Sequence, residues 1–466
     1  MQPLLKLADF VATFPPKSLP VPTTQTISTL MLDLIGAAGA GLHSPLARAA
    51  RASALNAYGE GSVRIWLTNR TSSVVGAAMA NSAAASALDI DDGHRGAAGH
   101  AGAGVIPAAL AVAEAVGGSS SEVSEAIALG YEIALRVASS RPAESVDTYA
   151  SGRWVNYGAA AAAARLLKLT ANETAHALGI AGGEGPIVFT APSPKFEGST
   201  IKEGIPPAVV AGITAAYRAR EGATGPLDLF NDEVRFDRNV LLGGLGSSWE
   251  AQNCYLKPYA CCRYMHAAVD AIISMRRRGT EIKTLRINTF PQAMRLANER
   301  APTNLEGAQY SFYFNCALAS LYGAEELQPV ALERLTDERV LEIANLIELV
   351  PSPEFATAFP FGTPARVFLD QGDGVQEMLV LHPLGDVANP MSREQVIHKF
   401  MNITENLGRE WQEDLVAAAL NFEEGGLSYL VSSLAAPRQH AYPTARGSRG
   451  DPSDLLMLER TAGYRT

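Results

Sequence analysis

Residues 105–137 read VIPAALAVAEAVGGSSSEVSEAIALGYEIALRV. On both sides of Gly117-Gly118 the apolar residues recur at helical spacing, and Ala or Gly fills many of the positions around them. The two glycines predict the end of one helix, and Ser119 to Glu122 predict the capped start of the next. Because small side chains are so frequent, we expect helices that pack closely, backbone against backbone.

The same helical pattern extends from the start of the chain to about residue 270. After the basic run Arg276-Arg277-Arg278-Gly279, Ile282–Phe290 alternates apolar with polar residues, which predicts a strand. Two further extended segments, Ala365–Leu369 and Gln376–Leu381, flank a turn-rich stretch and predict a hairpin. A helical pattern at Ala331–Leu349 lies between the first strand and this hairpin.

The end of the chain is again helical in pattern. A helix is predicted to begin within Ser392–Phe400, and helical spacing continues through roughly the last sixty residues. We therefore predict a mainly α fold in which both chain ends, residues 1–270 and 400–466, build a large helical domain. The middle of the chain, residues 271–399, is predicted to form a smaller α+β domain inserted between them.

Composition narrows the class of protein. Hydrophobic residues make up 47% of the 466 residues and charged residues 18%, as in folded globular proteins. The formal net charge of −10 argues against nucleic acid or an anionic membrane as a partner. No apolar run reaches the ~18 residues that cross a bilayer, and the N-terminus lacks a signal-peptide pattern. We expect a soluble, cytoplasmic protein, in which a site for a polyanion must concentrate Lys, Arg and His.

Three segments carry the residues that chemistry would need. In the first, residues 89–104 contain three acids, two histidines and five glycines. Glycines let the backbone approach a ligand, and an Asp beside His100 can orient its imidazole. The alternative is a solvated glycine-rich loop. A metal site is disfavoured, because the acids lack the calcium-loop pattern and no His/Cys set completes a transition-metal site.

The second and third segments are basic. Lys202 lies among small residues just before the apolar helix Ala208–Ala219, where it could bind substrate or move a proton, unless it is a surface lysine. Arg263, His266 and Asp270 have the spacing that places side chains on one helix face. A solvated face is one alternative there. A cysteine–histidine nucleophile on the neighbouring Cys261-Cys262 pair is another, but these thiols show no other sign of activation.

In this order and at these separations, the three segments resemble the signature segments of the MmgE/PrpD family. That family includes 2-methylcitrate dehydratase, cis-aconitate decarboxylase and iminodisuccinate epimerase. The resemblance covers nearly the whole chain. In chain order it includes Asp89-Ile90-Asp91-Asp92, His100, Val105–Leu110, Lys202, Lys257-Pro258-Tyr259, Cys262-Arg263, His266, Gly385-Asp386, Asn389–Ser392 and Lys399-Phe400.

The resemblance implies a helical domain, a smaller α+β domain, a homodimer and a site between the two domains for a small polycarboxylate. It implies that no cofactor and no metal takes part. Asp92, His100, Lys202 and His266 match polar positions of that site, and Arg263 would suit carboxylate binding.

The chain departs from the pattern of the dehydratase and decarboxylase branches. Gly93 stands where those branches usually have Thr, and Ala101 where they have Pro. Val155 replaces a His, so a proton donor is missing. The tyrosine expected in a Ser-Phe-x-Tyr segment is Phe314, with Tyr313 one position earlier. These losses affect the groups that dehydration or decarboxylation would use.

Epimerisation demands less of a site. One group takes an α proton, another returns a proton to the opposite face, and cations stabilise the enediolate-like intermediate. We therefore favour an epimerase of iminodisuccinate or a similar amino polycarboxylate. We assign catalysis to Lys202, His100, His266, Asp92 and Tyr149, and substrate binding to Arg263, Asp89, Arg153 and Tyr313. The alternatives are a lyase resembling 2-methylcitrate dehydratase or cis-aconitate decarboxylase, and a degenerate member that only binds polycarboxylates or serves as a scaffold.

Overall fold

The computed structural model describes residues 2–142, 150–186 and 199–435. Within these ranges the chain is mainly helical, as the sequence predicts. The helices are α1 Pro3–Thr13, α2 Val21–Gly41, α3 Pro45–Asn56, α4 Val74–Ser86, α5 Gly102–Val116, α6 Ser120–Ser139, α7 Val155–Leu166, α8 Ala171–Glu184, α9 Ile205–Arg220, α10 Arg238–Leu242, α11 His266–Met275, α12 Leu305–Gln309, α13 Phe312–Tyr322, α14 Glu338–Leu346, α15 Arg393–Ile403, α16 Arg409–Leu420 and α17 Phe422–Ser433. The strands are β1 Val63–Ile65, β2 Arg70–Ser72, β3 Gly93–His94, β4 Cys254–Tyr255, β5 Thr284–Thr289, β6 Ile347–Pro351, β7 Ala365–Asp370 and β8 Val375–Val380.

The central helices approach one another at glycines. A Cβ added to Gly130 on α6 would lie 2.9 Å from the carbonyl oxygen of Gly158 on α7, and one added to Gly158 would lie 2.6 Å from that of Gly130. A larger side chain at either position would force the two backbones apart. The predicted close packing of backbones is therefore confirmed at this crossing.

The helix boundaries follow the capping signals. Gly117 ends α5 with φ +73°, and Ser119 with Glu122 forms a reciprocal capping box at the start of α6. Ser392 and Gln395 form the same arrangement at the start of α15. These three predictions are confirmed.

The α+β part is built on a four-stranded sheet in the order β6-β5-β7-β8. Strand β5 pairs parallel with β6 and antiparallel with β7, and β7 pairs antiparallel with β8. The predicted strand at Ile282–Phe290 and the predicted hairpin are both confirmed. The helical prediction for Ala331–Leu349 is partly wrong, because α14 ends at Leu346 and Ile347 begins β6. The apolar residues after Leu346 continue the helical spacing but pair with β5 instead.

Among the described residues, two large hydrophobic clusters form most of the core, and a small third cluster contains Ala37, Ala87, Leu88, Ile90, Ala260 and Ile403. The larger draws on residues between 4 and 256 and again between 396 and 434, so both ends of the described chain contribute to it. The smaller draws on residues between 259 and 369 and packs α11 and α13 against the sheet. The fold therefore has two parts of the kinds predicted, whereas the domain limits at residues 270 and 400 remain predictions.

No single helix in the described ranges combines the length and apolar character needed to cross a membrane. Helices α2 and α3 meet that test only when they are taken together, and a bend of 95° separates them.

Candidate active site

The glycine-rich segment between α4 and α5 is held inside the protein. Its residues Gly93 and His94 form β3, which pairs antiparallel with Tyr255 and Cys254 of β4. The side chains of Asp89, Asp91, Asp92 and His100 are all buried. The alternative of a solvated loop is therefore wrong.

Lys202 lies just before α9, and its side chain is only 1% exposed, so the surface alternative is wrong as well. Its Nζ donates to Asp89 Oδ1 at 2.6 Å and to the hydroxyl oxygen of Tyr310 at 2.5 Å. Lys257 approaches the same carboxylate from its other oxygen, with Nζ 2.8 Å from Asp89 Oδ2. Asp89 thus lies between two ammonium groups.

His100 faces three acidic residues. Its Nε2 lies 3.3 Å from Asp89 Oδ1, and its Nδ1 lies 2.7 Å from the carbonyl oxygen of Asp92 and 3.3 Å from Asp91 Oδ2. The backbone N–H of His100 donates to Ser151 Oγ at 2.9 Å. Both ring nitrogens therefore have oxygen partners, which suits a protonated imidazole.

Glu203 completes the group from the residue next to Lys202. Its Oε1 accepts a hydrogen bond from Tyr310 at 3.0 Å, and its Oε2 accepts one from the Ser151 hydroxyl at 2.8 Å and one from the Ser151 backbone N–H at 3.2 Å. No role was assigned from the sequence to Glu203, Tyr310, Ser151 or Lys257, although Lys257 lies in a segment that matches the family. Glu203 could have been selected only because it is next to Lys202 in the sequence. Its partner Tyr310 lies 107 residues farther along the chain, so nothing in the sequence indicated that contact.

The charges in this group determine its protonation. Burial alone would lower the pKa of His100, but Asp91, Asp89 and Glu203 outweigh it and hold that pKa well above the ordinary value. The pKa of Lys202 is also raised, since Asp89, Tyr310 and Glu203 outweigh the effect of burial. Both side chains therefore carry a proton and a positive charge at neutral pH.

The acids of the group divide into two kinds. Burial would raise the pKa of Asp89 and of Glu203, yet the neighbouring cations, Lys202 foremost, hold both pKa values below the ordinary range. For Asp92, burial together with Asp91 and Asp33 outweighs His100 and the hydrogen bond from Tyr131, and raises the pKa to about 7. Burial likewise raises the pKa of Tyr310, so that its hydroxyl keeps its proton.

Arg263 and His266 form a second group. The guanidinium donates to the carbonyl oxygens of Leu384 at 2.8 Å and Pro383 at 3.1 Å, and its Nη1 lies 3.1 Å from His266 Nδ1. His266 Nε2 lies 3.1 Å from the carbonyl oxygen of Cys261. His266 is fully buried, so the solvated-face alternative is wrong, and burial with Arg263 holds its pKa well below the ordinary value.

Of the predicted site residues, the structure brings together Lys202, His100, Asp89 and Asp92. Tyr313 instead contacts Arg300, whose guanidinium carbon lies 3.7 Å from its ring centre. Arg153 is half-buried on the short 3₁₀ helix that begins at Ser151. Tyr149 lies outside the described residues. The roles assigned to all these residues remain predictions.

Two departures from the family pattern have a structural explanation. A Cβ at Gly93 would lie 2.4 Å from the hydroxyl of Tyr255, so this tyrosine places a hydroxyl beside the position where a threonine was expected. Phe314 is buried in the smaller hydrophobic cluster, whereas Tyr310 presents its phenol to Lys202. The site therefore has more hydroxyl groups than the motif comparison indicated.

The cysteines do not supply a nucleophile. All four are unpaired, with Cys261 and Cys316 buried and the other two partly exposed. Burial raises the pKa of the Cys261 thiol, and it raises that of Cys262 to about 12. Neither thiol is activated, since the thiolate is the reactive form.

Among the described residues, one group has the composition of a metal site: the ligand atoms of Asp89, His100 and Glu203 lie within 4.8 Å of one another. The ammonium of Lys202 already lies 2.6 Å from Asp89 and 3.6 Å from Glu203. A divalent cation among these ligands would meet that charge at close range. The donor set therefore fits the lysine cation better than a metal.

Comparison with known proteins agrees with this architecture. Residues 5–245 match the MmgE/PrpD N-terminal domain, and residues 259–423 match the MmgE/PrpD C-terminal domain. A cis-aconitate decarboxylase of Aspergillus terreus is 26% identical over 450 residues, which cover 85% of this chain and 89% of the relative. A cis-aconitate decarboxylase-like protein of Aspergillus oryzae is 24% identical over 444 residues, covering 86% and 90%. The chain belongs to the MmgE/PrpD family, with its N-terminal domain matched over the helical part and its C-terminal domain matched from residue 259 onward.

Proposed function

We propose that this protein is a lyase that removes carbon dioxide from a small unsaturated tricarboxylate of the cis-aconitate type. Two kinds of observation support the proposal. The relatives described above carry that activity in their names. The site itself holds its proton carriers in their protonated forms.

The geometry of the charged groups carries the argument. Lys202 Nζ and His100 Nε2 lie 2.6 and 3.3 Å from Asp89 Oδ1, and the Tyr310 hydroxyl donates to Glu203. These contacts raise the pKa values of His100 and Lys202, and burial raises that of Tyr310, so all three favour their protonated forms. An epimerase needs a proton acceptor ready to take an α proton, whereas a decarboxylase must deliver a proton to carbon.

The carboxylates beside Lys202 and Tyr310, those of Asp89 and Glu203, are weak bases because their pKa values are lowered. Asp92 has a raised pKa, but its Oδ2 accepts a hydrogen bond from the Tyr131 hydroxyl at 3.2 Å. The ring nitrogens of His266 face Arg263 and the carbonyl oxygen of Cys261. The arrangement therefore favours proton delivery, and the lyase replaces the epimerase as the preferred function.

The geometry gives each residue a role. Lys202 and Lys257 supply positive charge for the substrate carboxylates. When the C–CO₂ bond breaks, its electron pair forms a new carbon–carbon double bond, and the pair of the old double bond takes up a proton at carbon. Tyr310 is positioned to give that proton, because the Lys202 ammonium already donates to its oxygen and would stabilise the phenolate left behind. In the unliganded site the Tyr310 hydroxyl donates to Glu203 Oε1 at 3.0 Å.

The proposal is tested with purified protein and three acids offered separately: cis-aconitate, 2-methylcitrate and one stereoisomer of iminodisuccinate. We expect consumption of cis-aconitate with release of one equivalent of carbon dioxide. Proton NMR measures the consumption, and a carbon dioxide electrode measures the gas. Consumption of 2-methylcitrate with no gas released would show a hydro-lyase instead. If none of the three changes, the protein is better described as a polycarboxylate-binding member.

Epimerisation of an amino polycarboxylate is the second candidate. It is favoured by Val155, which leaves no imidazole at the position where the lyase branches carry a His. Its side chain packs directly against α5, since a Cβ added to Gly104 would lie 2.2 Å from Val155 Cγ2. Conversion of the single iminodisuccinate stereoisomer into its diastereomer, with cis-aconitate left unchanged, would establish this function in place of the lyase.

A further inference from the structure

The carboxylate of Glu203 lies in a cradle of donors. Two hydroxyls and one backbone N–H donate to it, from Tyr310 and Ser151, at 2.8 to 3.2 Å. Lys202 Nζ lies 3.6 Å from Oε1 and His100 Nε2 lies 4.0 Å from it. Three hydrogen-bond donors with two cations nearby are the kind of surroundings that a protein uses to hold a ligand carboxylate.

The backbone at this position is strained. Glu203 has φ +50°, in the left-handed region that residues other than glycine rarely occupy, and Gly204 follows with φ +68°. Such conformations are unfavourable for residues with a side chain and persist where the surroundings impose them. The contacts of the Glu203 carboxylate therefore hold a conformation that the chain would otherwise leave.

The ionic groups around the cradle are balanced. The cations Lys202, Lys257 and His100 face the carboxylates of Asp89, Asp91 and Glu203, three against three. A polycarboxylate that entered would add uncompensated negative charge to a buried set, which is costly unless a resident carboxylate leaves. Glu203 is the most exposed of the three acids, at 16% against 2% for Asp89 and 0% for Asp91. It is the acid with the shortest route to solvent.

We infer that Glu203 is an internal stand-in for a substrate carboxylate. On binding, Glu203 leaves the cradle, one carboxylate of the ligand takes its place beside Ser151 and Lys202, and the Tyr310 hydroxyl is released from Glu203 for proton transfer. The inference rests on the proposed function in so far as the ligand is a polycarboxylate. Beyond that function, Glu203 competes with the ligand carboxylate for the cradle and so lowers the affinity of the ligand.

The first test measures binding without turnover. Propane-1,2,3-tricarboxylate, which has no double bond, is titrated calorimetrically into wild type, Glu203→Gln and Glu342→Gln. The last variant removes the same charge from an exposed residue of α14. If Glu203 fills the cradle about nine-tenths of the time, its removal tightens binding about tenfold, because affinity scales with the competent fraction. Glu342→Gln should bind as wild type does. Unchanged or weaker binding to Glu203→Gln alone would overturn the inference.

If the tricarboxylate does not bind to any of the three proteins, that result counts against the proposed function. The second test of the Glu203 inference does not depend on that binding. Glu203→Gly empties the cradle and suits the positive φ, since glycine adopts that conformation without strain. Acetate should then raise the Tm of Glu203→Gly in proportion to its occupancy, and leave the Tm of wild type and of Glu342→Gln unchanged. Equal responses of the three proteins to acetate would show that the cradle does not bind free carboxylates and would overturn the inference.

Discussion

The molecule contains two buried Lys–Asp pairs with the same separation and different surroundings. Lys202 Nζ lies 2.6 Å from Asp89 Oδ1, and Lys399 Nζ lies 2.6 Å from Asp33 Oδ1. The other partner of Lys399 is a backbone carbonyl, that of Ile90, at 2.7 Å. The other partners of Lys202 are side chains that can gain or lose a proton, namely Tyr310 and Glu203.

The difference shows that a buried ion pair does not itself identify an active site. Lys399 connects α15 to α2 and to the segment that carries the acids, through one carboxylate and one backbone carbonyl. Lys202 has partners with more than one protonation state and a neighbour, Glu203, that reaches toward solvent. The groups around each ammonium therefore separate Lys399, a structural cation, from Lys202, the proposed catalytic one.

The largest effect is expected at Lys202. Lys202→Met should lower the kcat for the proposed decarboxylation by about a thousandfold, because it removes a preorganised cation from the reacting centre. The free energy of unfolding should fall only modestly, because the Asp89 carboxylate still has a cation, with Lys257 Nζ 2.8 Å from its Oδ2. Steady-state kinetics and urea unfolding measure the two quantities. If Lys202→Met lowers the free energy of unfolding strongly but keeps the kcat of wild type, Lys202 has a structural role and not a catalytic one.

Lys399→Met should show the opposite pattern. It leaves Asp33 buried without its cation, which costs about 3–5 kcal/mol of unfolding free energy. The fraction that remains folded should keep the kcat of wild type within about twofold, because Lys399 contacts a backbone carbonyl and no proton carrier of the site. Urea unfolding compared with activity per folded molecule checks this. A loss of kcat as large as that in Lys202→Met would mean that the two pairs do not differ in kind.

Tyr310→Phe removes the proposed proton donor and keeps the ring. We expect kcat to fall about a hundredfold, within the range that a general acid contributes, with little change in KM. Tyr429→Phe is the matched control, because Tyr429 is exposed on α17, its hydroxyl donates to Asp414, and the variant should keep its activity. Equal activities in the two variants would exclude Tyr310 as the donor.

The smallest effect is on the pH dependence of stability. Because the pKa of His100 is higher in the folded state than its ordinary value, its charge adds stability below pH ~6.5, the unfolded-state pKa. That contribution is lost as the pH rises through the folded-state pKa. The stability difference between wild type and His100→Gln, measured by urea unfolding from pH 6 to pH 9.5, should therefore shrink as the pH rises.

His398→Gln is the control for this measurement, since His398 is exposed on α15. Its stability relative to wild type should not vary in the same way. A His100→Gln difference that grows with pH would contradict the assigned direction of the shift.

Local patterns were enough to predict much of the fold. The capping residues Ser119 and Ser392 and the turn at Gly117 define helix ends through contacts within a few residues, so the sequence indicates them directly. Strand β6 was missed for the opposite reason. Its identity depends on pairing with β5 more than fifty residues earlier, which overrides an apolar spacing that continues from α14.

The residues of the candidate site also fall into those that the sequence indicates and those that depend on distant contacts. Lys202, His100, Asp89 and Asp92 lie in segments whose composition and order match the family, so they could be selected from the sequence. Tyr310 and Ser151 could not, because they reach the site only through the packing of distant segments. The hydroxyl near Gly93 was counted as lost for the same reason, since Tyr255 supplies it across the β3–β4 pairing.

The central claim is that the site delivers a proton to carbon as carbon dioxide leaves. The most direct measurement is the reaction of wild type with cis-aconitate in deuterated water, followed by NMR. The account predicts one deuterium at the newly saturated carbon of the product for each carbon dioxide released, and neither event in Lys202→Met. Deuterium exchange into a substrate that keeps all its carbon atoms would contradict it, because the site would then remove and return protons without breaking a carbon–carbon bond.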